Sequence, residues 1–223
     1  MTTSKQLRKA LESDWAADGE QILGVLGGDD LLGHVGAVIG GSWTVPCPAP
    51  AGGPEPKSVP ELPELISLVR DGRFLGDEWL HDPAMRAVAY ADSPEQAAVV
   101  CGGHLAAFGG QGWYVSTSSR VAVVAHSSAL SGAAAESAED ESGGAVGRLW
   151  GRARSVVSAV SDGITSLGGG WTTVWEVPAS KEDGALVNRG RSPRGWSVER
   201  QVFADGSAIE LRTEARAFAR AAR

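Results

Sequence analysis

The sequence predicts an α+β fold in which antiparallel strands make a barrel or sandwich closed by a C-terminal helix, with a helical region ahead of it and a long segment inserted into it. Three observations carry this. Residues 112–126, GWYVSTSSRVAVVAH, are dense in Val, Thr and aromatic side chains and free of proline, as a pleated, half-buried surface selects. In residues 171–177, Trp171, Thr173, Trp175 and Val177 alternate with Thr172, Val174 and Glu176 before Pro178 ends the run. Asp205-Gly206, between strand-like runs at 196–203 and 207–212, is a hairpin signal, because both central positions of the tightest turn favour positive φ.

The elements follow in order. Thr3-Ser4-Lys5-Gln6 matches a capping box, and Leu7, Ala10, Leu11 and Trp15 follow at helical spacing until Gly19 stops the run. Residues 21–45 are apolar but glycine-punctuated, and helix and strand readings compete there. Residues 46–60, PCPAPAGGPEPKSVP, exclude both helix and central strand, so an extended linker or surface loop is expected. That stretch divides the chain into an N-terminal helical or irregular region, 1–45, and a domain at 61–223. Within the domain, Leu62, Leu65, Ile66 and Val69 make a one-sided helix ending at Gly72, and residues 77–90 read as short helical pieces around Pro83. Ser93-Pro94-Glu95-Gln96 is a helix start, with an N-cap, a proline at the first helical position and a glutamine at the third. Gly102 and Gly103 oppose it, each costing a helix interior about 1 kcal/mol relative to Ala, so 97–108 reads equally as helix or as paired strands.

Residues 127–170 form the insertion. Its first part, SSALSGAAAESAEDESGG, is small and acidic. Its second predicts an amphipathic helix over 146–167: Val146, Leu149, Trp150, Ala153, Val156, Val157, Val160, Ile164 and Leu167 form a stripe, with Arg148, Arg152 and Arg154 largely off it. Such a helix needs a surface, and three remain open: the protein's own barrel, a partner groove, or an anionic membrane. At the end of the chain Thr213 is set to cap a helix whose Ala215, Phe218, Ala219 and Ala222 share one face, with Arg212, Arg216 and Arg220 on the side away from Phe218.

Composition narrows the function. A chain of 223 residues with 43% hydrophobic content supports one sizeable core. The N-terminus lacks the apolar core of a secretory signal, no window reaches the ~18 apolar residues of a membrane span, and two cysteines make no disulfide framework. The expected location is cytoplasmic, with peripheral membrane association as the alternative. Residues 1–147 carry 8 Lys or Arg against 19 Asp or Glu, and residues 148–223 carry 12 against 8. An acidic front half argues against wholesale nucleic-acid binding, which draws on clustered cations. The excess of Arg over Lys, with abundant Ala and Gly, points to a GC-rich genome rather than to function.

Taken in order, the STSSRVAVV strand turn, the WEVPAS strand ending in proline, the VFADGSAIEL hairpin and the closing helix resemble the bacterial pleckstrin-homology-like domain. The resemblance covers residues 112–126 and 171–222. It implies a bent antiparallel barrel of about seven strands, one open end plugged by the C-terminal helix, that docks proteins or membrane headgroups rather than catalysing a reaction.

No catalytic constellation stands out. Cys101 and His104 have the spacing of half a zinc site, but no second pair lies at ligand spacing, and a small buried cysteine is the plainer reading. His34, His81, His104 and His126 sit near no nucleophile elbow, and the glycines at 33, 36, 40 and 109–112 match neither phosphate-binding fingerprint. No catalytic residue, metal or cofactor is expected. The leading expectation is a non-catalytic, adaptor-like module with a protein partner. A peripheral membrane module using residues 146–167 comes second, and a hydrolase or transferase third. Arg148, Trp150, Arg152, Arg154, Arg212, Arg216 and Arg220 are the candidate interaction surface.

Overall fold

A computed structural model describes residues 4–27, 34–50, 85–108, 111–127, 130, 170–179, 187–191 and 197–213. In chain order the elements are α1 (Ser4–Asp14), β1 (Ile22–Gly27), β2 (His34–Ile39), β3 (Ser42–Thr44), β4 (Met85–Ala91), α2 (Ala97–Phe108), β5 (Gly112–Thr117), β6 (Arg120–His126), β7 (Trp171–Pro178), β8 (Val187–Arg191), β9 (Ser197–Val202) and β10 (Ala208–Thr213). They build a mixed α+β structure. One sheet has the order β1-β5-β6-β7 and is antiparallel throughout; the other has the order β3-β2-β4-β10-β9-β8 and is antiparallel except where β2 runs parallel to β4.

The helix α2, AAVVCGGHLAAF, is apolar on all sides, so one sheet cannot cover it. It lies between the two sheets. Ala98, Val99, Cys101 and Leu105 pack with Tyr114, Val121 and Val123 of the first sheet and with Val35, Ala87, Ala89, Ile209 and Leu211 of the second. The amphipathic α1 covers the other face of the first sheet, where Leu7, Leu11 and Trp15 meet Ile22, Val25, Val115, Ala122 and Val124.

The expected closed barrel is therefore not formed: among the described residues the sheets end at β1, β7, β3 and β8, and a helix fills the space between them. The C-terminal closing helix, the helix at 62–69 and the helix at 146–167 fall outside the described residues, and Thr213, the expected cap of the first of these, is the last residue of β10. The described residues of the ambiguous stretch 21–45 include β1, β2 and β3, and the described part of 77–90, expected to hold helical pieces, lies in β4. Both are short apolar runs buried on two faces, which carry no alternation to announce a strand.

Strand β1 pairs with β5 and β2 pairs with β4 across the stretch 46–60. Its first residues are built into the core. The Cys47 N–H donates to the Val35 carbonyl at 2.6 Å, the Cys47 side chain is buried, and the segment crosses α2 where the helix has no side chains. A Cβ on Gly102 would stand 2.9 Å from Cys47 Sγ, and one on Gly103 would run into the Pro48 carbonyl oxygen. The two glycines that weaken the helix locally are what lets this chain pass.

The start of α2 is held from both directions. Gln96 Oε1 reaches back to the N–H groups of Asp92 (2.5 Å) and Ser93 (3.1 Å), the reciprocal half of a capping box. The β9–β10 turn supplies the rest: Asp205 Oδ2 accepts the Ala97 N–H at 2.6 Å and Ser207 Oγ accepts that of Ala98 at 3.0 Å. This hairpin forms where Asp205-Gly206 signals it, but by a longer turn. Phe203 pairs with Ser207, the Gly206 N–H donates to the Phe203 carbonyl, and Gly206 takes the positive φ of 82°.

Candidate functional site

Among the described residues, sheet edges and the charges beside them are addressable features, and β7 is the longest of the strands at those edges. Among the described residues it is an outer strand of the first sheet, paired with β6, and none of its eight residues is buried. Its alternation is not continuous. Trp175 stands opposite Val123 and Thr173 opposite Val124, so Val174 is an extra, bulged residue. The shift reverses the faces: Trp175 and Val177 join the core around α2, while Trp171 packs on the α1 side. The face expected to hold Trp171, Thr173, Trp175 and Val177 together is thus split in two. Trp171 meets Trp113 edge-on with ring centroids 5.2 Å apart and His126 at 5.3 Å, and Trp175 meets Phe203 at 5.9 Å.

Beside the far end of β7 lies an ionic cluster. The turn between β5 and β6 is closed by Thr117, whose Oγ1 accepts the N–H groups of Ser119 (3.2 Å) and Arg120 (2.9 Å). Glu20 arrives from the α1–β1 connection. Arg120 grips it with two hydrogen bonds, Nε to Oε1 and NH2 to Oε2, each 3.0 Å, and reaches Glu176 Oε2 on β7 with NH1 at 2.6 Å. Thr117 Oγ1 and Ser119 Oγ also donate to Glu20 Oε1, at 2.6 and 2.5 Å, and Oε2 accepts the Ala17 N–H at 3.0 Å. The guanidinium stacks over Trp15, 4.3 Å from its ring centroid, and the Trp15 indole N–H donates to Thr173 Oγ1 at 2.9 Å.

Burial by itself would raise the Glu20 carboxyl; the hydrogen bonds from Arg120, Ser119, Thr117 and Ala17 outweigh it and bring the pKa down to about 2. The Glu20 side chain is 3% exposed and that of Glu176 is 48% exposed. Glu20 is fully compensated. Two carboxylates share one guanidinium, so the remaining negative charge sits on the outward-facing Glu176. A groove of about 310 Å³ lies on the other side of Glu20, lined by Arg8, Glu12, Gln21, Ile22 and Leu23.

The thiols sit elsewhere and are inert as nucleophiles. Burial pushes Cys47 up to about 12, and Cys101 is raised by burial and by the neighbouring Cys47, so neither is a thiolate near neutral pH. His104, on the same helix as Cys101, is lowered to about 4 by burial and stays neutral. Among the described residues no group of three His, Cys, Asp or Glu side chains is placed to share a metal ion, and no helix is long and apolar enough to cross a membrane.

Of the surface expected from the sequence, Arg148, Trp150, Arg152, Arg154, Arg216 and Arg220 lie outside the described residues. Arg212 does not belong to an exposed face: it lies in β10 and is 1% exposed. Sequence reading missed Glu20, Arg120 and Glu176. Glu20 and Arg120 are 100 residues apart in the chain, and neither has a local pattern that names the other. No protein-family model, curated protein or solved structure matches this chain.

Proposed function

We propose that the protein is a non-catalytic protein-interaction module, adaptor-like in that it presents a surface to a partner and transforms nothing. The observation that carries this is β7, an eight-residue outer strand with two tryptophans, every residue of which keeps some exposure. An edge of this kind recognises an extended chain through main-chain hydrogen bonds, with alternate side chains giving specificity. The strongly shifted carboxylate supports the same reading. Glu20 is committed to bracing α1 against the β5–β6 turn, which is architectural work.

The test uses the full chain. It is panned against a displayed library of random linear peptides and, separately, sedimented with phosphatidylserine vesicles. Reproducible selection of peptides that bind the free protein, without sedimentation, is the expected result. Failure to select any peptide would overturn the proposal, and sedimentation in that case would favour the membrane reading.

A further inference from the structure

We infer that β7 binds an extended basic segment of a partner protein, paired along its outer edge with a Lys or Arg beside Glu176; this rests on the interaction reading above and names its partner chemistry. Charge complementarity decides the sign. Glu176 is the only charged side chain of β7, it is half exposed, and among the described residues its ionic partner is Arg120, through NH1 of a guanidinium already bidentate on Glu20. A cation beside it completes a cluster that is one positive charge short, whereas an acidic residue there would add a third carboxylate to one guanidinium.

The geometry also selects a foreign chain over a second copy. Two β7 strands pairing antiparallel would set the Val174 bulge of each against the other and bring two Glu176 carboxylates onto the same ladder, and Pro178 removes a donor at its end. Bulges and prolines are devices by which edge strands avoid pairing with themselves. A partner of different sequence is free to match the bulge. On the α1 side, the half-buried Trp171 next to Trp113 offers an apolar neighbour to a residue further along the same face of the bound segment.

The experiment takes the peptides selected on the full chain and measures their affinities by fluorescence anisotropy against the native protein, Glu176→Lys, Glu176→Gln and, as a remote charge control, Glu95→Lys. The expected result is that the peptides carry Lys or Arg, that Glu176→Lys weakens them by about tenfold or more, that Glu176→Gln falls between, and that Glu95→Lys leaves them unchanged. A melting curve on each variant separates lost binding from lost fold, and Glu176→Gln keeps the test decisive if the lysine variant fails to fold. Peptides that lack cations, or bind Glu176→Gln and Glu176→Lys as tightly as the native protein, would overturn the β7 site while leaving the interaction module standing. Failure to select any peptide would overturn both. Self-association that Glu176→Lys dissolves would make the occupant a second copy and overturn the inference.

Discussion

Asp205 Oδ2 accepts the Ala97 N–H at 2.6 Å across 108 residues of chain, so the turn of one hairpin serves as the N-cap of the central helix. The same carboxylate holds the turn together, since Oδ1 accepts from Ser207 N (3.0 Å) and Ser207 Oγ (2.6 Å). One side chain thus ties the second sheet to the element both sheets bury.

Asp205→Ala should cost about 1 to 2 kcal/mol, the upper part of the range for a lost cap, because it removes the turn's own bonds as well. Asp205→Asn, which keeps one acceptor, should cost less. Hydrogen bonds from Ala97 and Ser207 outweigh burial and hold the Asp205 carboxyl below its ordinary value, so its contribution is present at neutral pH and fades on acidification. Urea unfolding of the three proteins at pH 7 checks the order, and equal midpoints would refute the cap.

The Glu20 carboxyl is depressed from an ordinary value of 4.5 to about 2 in the folded chain. A depressed folded value means stability that is complete above about pH 4.5 and is lost as the pH falls toward 2. The difference in unfolding free energy between the native protein and Glu20→Gln should therefore shrink across that window. Arg120→Ala should be worse than Glu20→Gln at pH 7, by removing the partner of a buried carboxylate, at about 3 kcal/mol. A pH-independent gap between native and Glu20→Gln proteins would contradict the ion pair.

Gly103→Ala gives a prediction of sign. In an open helix the change stabilises by about 1 kcal/mol. Here the added methyl meets the Pro48 backbone, which cannot swing aside like a side chain, and overpacking costs about 1 to 3 kcal/mol. The melting temperature should fall. A rise would mean that residues 46–50 do not cross α2 as described.

Local structure was legible where local residues decide it. The spacing of Leu7, Leu11 and Trp15 marks α1, and the paired strands on either side of Ser118-Ser119 read directly from composition. The central helix was undecidable because the penalty for Gly102 and Gly103 is written at those positions, while the reason for them stands at Cys47, Pro48 and Pro50. The faces of β7 were half legible: alternation names the strand, but nothing in WTTVWEVP announces the bulge at Val174 that turns Trp171 and Trp175 to opposite sides. Of the candidate site, Glu176 is visible only as a charge on a strand, since its meaning comes from Arg120 and Glu20 on other elements.

The most direct measurement is amide hydrogen exchange along residues 171–178 in the free, full-length protein. An outer strand turns alternate N–H groups away from its neighbour. If β7 is an open edge, the N–H groups that face β6 will be protected to the level of the core, and those facing outward will exchange faster by orders of magnitude. Uniform protection along the strand would show that its outer edge is already occupied in the free protein, and would contradict the claim that this edge is where a partner binds.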